Sequence, residues 1–317
     1  MQKFYPDYYK KFKCIANQCP DSCCQGWDVV VDEKSELFYN DVKGEFGDKL
    51  RKVTVTDEDG DRIFTLNNMR CPFWNKDELC DIYINLGEEN LCETCKKFPR
   101  ITMDYESFTE HTLSLACPEA AKLILNEDFI IPEKNYNLNN VSYNRENMDK
   151  LLNLRTEAQK IIINKDLPFR ERLKQLLKYF GGKSNFSKRN IKFIFDIHER
   201  LEFINPEYKN IIKKASDYNQ SDKYDEIYTR LAVYYLYRYF LNAVDGSDML
   251  DTIKKFFCAY IITASIASAK ENPDVIRIIQ NYSKEVEHSY DNNRTLEFFF
   301  ENDDNFSIDN LISLLEK

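Results

Sequence analysis

"CPDSCCQGW" (19–27) places Cys19, Cys23 and Cys24 within six residues. It belongs to a wider pattern. Nine of the chain's ten cysteines, Cys14, Cys19, Cys23, Cys24, Cys71, Cys80, Cys92, Cys95 and Cys117, fall in the first 117 of 317 residues, and only Cys258 follows. Ordinary core cysteines do not segregate in this way. The pattern predicts a cysteine-built N-terminal unit followed by a cysteine-poor one.

Three roles compete for these sulfurs. A disulfide framework fits badly with an odd count of nine and with an N-terminus, "MQKFYPDYYKKFKC" (1–14), that has no apolar signal region. A set of unligated buried thiols is the second reading. Metal binding is the favoured third, since thiolates suit zinc or iron–sulfur clusters. The spacing matches no standard site. Cys92-x2-Cys95 is the sole CxxC pair, so no zinc ribbon forms, and Gly26 stands where a CxxxCxxC motif begun by Cys19 needs its last cysteine. Cys23 and Cys24 can serve one centre only from a tight turn, since neighbours in an extended chain point to opposite sides. Nine thiols are enough for two four-ligand sites, or for one cluster with structural thiols beside it.

Around the cysteines, "WDVVVDEK" (27–34) reads as a strand, and "KVTVTDEDGDRIFTL" (52–66) alternates about Asp59-Gly60 as a hairpin does. The acidic tip Asp57, Asp59, Asp61 does not make an EF-hand, because Arg62 and Asn68 occupy the glycine and glutamate positions. Short turns are expected over 69–100, and Pro118 and Glu119 suit the first turn of a helix after Cys117. "PEKNYNLNNVSYN" (132–144) reads as a boundary. Helical spacing then covers roughly 145–163, 168–180, 189–203, 221–244, 248–270 and 272–289. In 221–244 the apolar residues Tyr224 to Ala243 suggest one apolar face, starting near Ser221, Asp222, Asp225 and Glu226 and ending at Gly246. That aromatic face packs a core or lines a pocket, core packing being the simpler reading. Cys258, alone in an apolar helix, reads as a small buried hydrophobe.

The fold class expected is therefore mainly α: a small Cys-rich α+β metal-binding unit with a short hairpin over 1–130, then an all-α domain over 131–317. A net charge of −9 argues against nucleic-acid binding. Eight glycines in the whole chain argue against phosphate-cradling loops. The most apolar stretch, 256–269, is too short to span a membrane. A cytoplasmic protein is expected.

Together, "CPDSCCQGW" with Cys14 before it, "CPFW…LCDIY", "LGEENLCETCKKFPR" and "LSLACPE" resemble the flagellin lysine N-methylases. These proteins belong to a wider group named for a CxxCxxCC pattern and described as zinc- or iron-chelating. The resemblance is strong over residues 1 to about 125. Beyond 145 it is looser and rests on helical character and "RLAVYYLYRYF" (230–240). One departure concerns the wider group: three residues, not two, separate Cys19 from Cys23.

The resemblance implies transfer of a methyl group from S-adenosylmethionine to lysine ε-amines of flagellin, with a cysteine-bound [4Fe–4S] cluster, zinc being the alternative. It carries over to the nine cysteines from Cys14 to Cys117. Of these, Cys71, Cys80, Cys92 and Cys95 are the favoured ligand set. Methylation needs a neutral amine, and deprotonating lysine at pH 7 costs about 4.6 kcal/mol. A base or a desolvated pocket must therefore help. Tyr83, Asp81, Glu88, Glu89 and Glu93 lie near the motifs, but each is as readily a solvated or structural residue. Trp27 and Trp74 flank cysteine motifs and offer faces for a sulfonium, or simply pack. His111 is the one histidine near the cluster. No Rossmann-type glycine loop is present. The competing functions are a non-catalytic metal carrier and a redox module.

Overall fold

In the computed structural model, which describes residues 1–132, 136–183, 190–216 and 222–316, the periodic segment 145–163 is a helix, Arg145–Ile163. Asn144 caps it by accepting from the N–H groups of Glu146 and Asn147. Every element described after residue 131 is helical. Five short strands precede it: β1 Gln2–Phe4, β2 Thr54–Thr56, β3 Arg62–Phe64, β4 Arg100–Asp104 and β5 Phe108–Leu113.

The chain forms two compact units that no single cut near residue 130 separates. One comprises Met1–Phe12, Thr102–Ala116 and Ala120–Lys317; the other comprises Lys13–Ile101 and Cys117–Glu119. Among the described residues, no helix is long and apolar enough to cross a membrane.

In the larger unit the strands run in the order β1-β5-β4, with β1 parallel to β5 and Phe4 opposite Glu110. All six residues of β5 are buried. The helix Leu250–Ser268 has fifteen buried residues of nineteen, Cys258 among them at 0% exposure. Such a helix carries apolar side chains on every side because protein surrounds it. The helices Phe169–Tyr179, Lys192–His198, Glu207–Ala215, Val275–Tyr282, Tyr290–Asn302 and Ile308–Leu314 belong to the same unit.

Two sequence expectations change here. The segment expected over 221–244 is an α-helix only over Asp225–Tyr239, flanked by 3-10 turns, and Ser221 lies outside the described residues. It does not show one apolar face either: Tyr228, Thr229 and the whole run from Leu231 to Tyr237 are buried. Polar tips on the tyrosines and Thr229 made the pattern look one-sided, although their bodies pack all round. Gly246, left-handed at φ 95°, ends the segment as expected. The helix expected over 189–203 is shorter, Lys192–His198, and residues 184–189 lie outside the described range.

In the smaller unit the hairpin pairs β2 with β3, Thr54 opposite Phe64 and Thr56 opposite Arg62. Its acidic tip closes on itself, the Asp57 carboxylate accepting from the N–H groups of Asp59 and Asp61. The segment 27–34 is not a strand. Val29 and Val31 are buried and Val30 is exposed, but among the described residues its pairing is limited to an isolated bridge from Val30 to Ile63. Asp32 then caps the helix Glu33–Asp41 by accepting from Ser35 N–H at 3.1 Å, which takes Glu33 and Lys34 into that helix.

Candidate functional site

All nine clustered cysteines lie in the smaller unit, Cys117 through the short piece Cys117–Glu119. None of the ten cysteines, all of them among the described residues, is joined in a disulfide. Cys71 and Cys92 sit in this unit's apolar core with Phe64, Phe73 and Ile82, and Cys24 and Cys80 pack against it. The backbone explains why distant segments meet here. Cys71 N–H donates to Cys24 O at 2.8 Å, and Asp81 N–H donates to Phe73 O at 2.8 Å. Asp32 reaches across as well, its second oxygen accepting from Glu93 N–H at 2.8 Å. Burial opposes the Asp32 charge, but this N–H and the Ser35 donors outweigh it and hold its carboxyl below the ordinary range.

Cys80 and Cys92 each stand immediately before a short helix, Asp81–Leu86 and Glu93–Lys97. Amide N–H groups at these helix starts face the sulfurs and favour thiolate. Burial raises the Cys80 thiol and the N–H of Tyr83 works against it. Burial likewise pushes Cys71 up to about 12, opposed by the N–H of Phe73. The CxxC helical turn folds Cys95 back so that its thiol donates to Cys92, which lowers Cys92 and raises Cys95.

Cys23 and Cys24 occupy a turn, and Gly26 just beyond it has a φ of 102°, which a side chain would strain. The two thiols share a hydrogen bond. Cys24 falls to about 7, chiefly through Cys23, with burial opposing and Ser22 and Arg70 assisting. Cys23 is raised by the same bond and by burial, and it feels Cys14 and Cys117. The Cys24 sulfur is in turn felt by Cys71, Cys80 and Cys95. The thiols thus fall into two neighbouring groups, Cys14, Cys23 and Cys117 on one side and Cys71, Cys80, Cys92 and Cys95 on the other, with Cys24 common to both. Cys19 is half-buried. Among the described residues, no three side chains of His, Cys, Asp or Glu draw close enough to hold one metal ion. Thiols are donors that suit soft or borderline metals, but among the described residues these sulfurs do not form a group arranged to hold one.

The other candidates have local roles. Asp81 accepts from Asn75 and Lys49 at 3.0 and 3.2 Å, and Glu93 faces Lys96 and Lys97. Tyr83 is exposed. One face of Trp74 carries the Arg70 guanidinium 3.7 Å from its centroid, and Trp27 donates to Cys23 O at 3.0 Å. His111 belongs to the larger unit, where each ring nitrogen lies 3.0 Å from a threonine hydroxyl, Thr102 or Thr109.

The larger unit contains a polar cluster that sequence reasoning missed. A five-residue π-helical turn, Ser283–Glu287, carries Glu287 toward Tyr234 and Tyr239, whose hydroxyls donate to Glu287 Oε1 at 3.0 and 2.7 Å. The tyrosine-rich run at 224–240 was the only signal for it, and nothing in that run names Glu287.

A family model described as the FliB lysine N-methylase C-terminal domain matches residues 119–314. This is the helical part, so the nine clustered cysteines all precede the match, and the likeness beyond 145 is firmer than the motifs alone suggested. The flagellar biosynthetic protein FliU of Salmonella muenchen is 30% identical over 134 residues, covering 38% of this chain and 76% of that protein. The lysine-N-methylases of Salmonella typhimurium (strain LT2) and Salmonella choleraesuis are also 30% identical over 134 residues. Those matches span only 32% of the relatives' own length. No solved structure matches the chain. With the matched family model covering well over half of its residues, the chain belongs to the FliB lysine N-methylase family.

Proposed function

We propose that this protein is a protein-lysine N-methyltransferase that modifies flagellin, takes its methyl group from S-adenosylmethionine and carries a cysteine-ligated [4Fe–4S] cluster. The observation that carries the reading is membership of the lysine N-methylase family over residues 119–314. The flagellar name of the FliU relative supports flagellin as the substrate.

Cys71, Cys80, Cys92 and Cys95 are the proposed ligands, with Cys24 as their nearest alternative. Their sulfurs meet N–H groups of Phe73, Tyr83 and Cys95, which stabilise negative charge on sulfur. A bound cluster would supply either an iron site for the amino-acid end of S-adenosylmethionine or a purely structural staple. The chain's own task is to hold a lysine side chain and present its amine without a proton. The test is anaerobic incubation of the protein with S-adenosylmethionine and flagellin, followed by mass spectrometry. A methyl-group mass increase on lysine is expected. Unmodified flagellin from protein with full iron content would overturn the proposal.

A further inference from the structure

The hairpin of the smaller unit has two unlike faces. On one, Phe64 is buried against Tyr39 of the helix Glu33–Asp41, with ring centroids 6.2 Å apart, and Arg62 Nε donates to Glu36 of that helix at 2.7 Å. Side chains alternate along a strand, so Ile63 lies on the other face. Val55 pairs with Ile63 in register, and Val30 sits opposite Ile63 through its isolated bridge. Directly opposite residues share a face, so these three side chains form one row. Val30 and Val55 are 40% and 37% exposed, and Ile63 is half-buried. Antiparallel strands with one packed face ordinarily turn polar residues outward. A single exposed apolar residue needs no explanation, but a row of three β-branched ones does.

The neighbours of the row say what covers it. Two residues beyond Val55 and two before Ile63 stand Asp57 and Asp61, with Glu58 and Asp59 between them at the tip. Among the described residues, none of these four carboxylates forms an ion pair. A second copy of this chain, with its net charge of −9, or an anionic lipid surface would bring like charge to the tip. A cationic partner is complementary to it. At the Val30 end, the Val30 carbonyl accepts from Thr94 Oγ at 2.8 Å, and Thr94 lies between Cys92 and Cys95. The row therefore adjoins the proposed ligand set.

We infer that this face docks the lysine-bearing segment of the protein substrate. Aliphatic side chains of that segment cover Val30, Val55 and Ile63, and its positive charge meets Glu58, Asp59 and Asp61. The inference rests on the protein-lysine methyltransferase reading and names the surface that selects the substrate. Three side chains and a hairpin tip offer much less than the roughly 800 Å² per partner of a stable complex, so the docking is weak and reversible, as turnover requires.

The test is binding of purified flagellin to the full chain at low and high salt, with the fold of each variant checked by circular dichroism. Wild type should bind, more weakly as salt rises. Glu58→Lys/Asp59→Lys leaves in place Asp57 and Asp61, which close the tip, and should weaken binding by about tenfold or more and flatten its salt dependence. Val30→Thr/Val55→Thr keeps the β-branched shape and should weaken binding by about threefold or more. If one variant does not fold, the other decides. No binding to wild type, or wild-type affinity in a folded variant, overturns the inference. So does a row that instead drives self-association or binding to phosphatidylserine vesicles. Methyl transfer is followed separately by mass spectrometry. Transfer to flagellin with an unchanged KM in both variants sinks the docking surface and spares the methyltransferase. Flagellin binding that both variants weaken, without any transfer, does the reverse.

Discussion

The Arg155 guanidinium and the Glu110 carboxylate meet through two hydrogen bonds of 2.7 Å each, with side chains 2% and 0% exposed. Tyr136 completes the set, donating to Glu110 Oε1 and accepting from Arg155, both at 3.0 Å. The pair ties Arg145–Ile163 to β5, joining a helix legible from its spacing to a strand that was not.

Breaking this pair strands a buried charge. Glu110→Gln should therefore destabilise the protein by about 3–5 kcal/mol in denaturant unfolding. The double variant Glu110→Leu/Arg155→Met should lose less than the single one, because no ion is then left unpaired. A single variant within about 1 kcal/mol of wild type would contradict this view of the pair.

His198 predicts a pH dependence. It is fully buried, its Nδ1 lies 2.7 Å from Ile194 O and its Nε2 lies 3.0 Å from the Tyr282 hydroxyl. The carbonyl can only accept, so Nδ1 carries the proton, and Nε2 accepts from Tyr282. Burial lowers the histidine from 6.5 to about 4, against the opposing pull of Ile194. The unfolded chain thus binds this proton first. The contribution is complete above pH 6.5 and is lost as pH falls toward 4, by about 3 kcal/mol in all. The stability difference between wild type and His198→Gln should be flat above pH 7 and shrink below 6. A flat difference down to pH 4 would show that burial does not hold this group neutral.

The thiol assignment predicts metal content. Cys71→Ser and Cys92→Ser should each lose most bound iron and the brown absorbance of anaerobically purified protein. Cys258→Ala should retain both, because Cys258 is buried in the helix Leu250–Ser268 of the other unit. Full iron in both serine variants would move the ligands elsewhere, and zinc in place of iron would exclude the cluster.

Metal removal should act on one unit. Residues 13–101 bury a small core that includes Cys71 and Cys92. A thiolate-bound metal there would contribute directly to folding. Chelation should then speed amide exchange across β2 and β3 while Leu250–Ser268 stays protected. Unchanged exchange in the hairpin would mean that the metal does not hold this unit together.

Some of this was legible in the chain. The hairpin at 52–66 and the helix at 145–163 announce themselves because turn residues and 3.6-residue spacing are local signals. The segregation of nine cysteines marked one unit before any coordinates. Local signals failed at 27–34, where β-branched residues met a capping aspartate, and at 225–239, where tyrosines hid burial on every side.

What the chain determined alone was composition by segment: sulfur at the front, helix-forming amphipathic runs behind, and the family that this combination resembles. What only the tertiary structure decided was which distant residues meet. Phe4 lies opposite Glu110, Glu93 N–H finds Asp32, and Glu287 turns toward Tyr239. Pairings across long loops leave no periodic trace, because their free energy comes from burying partners together and not from any preference of the segments themselves.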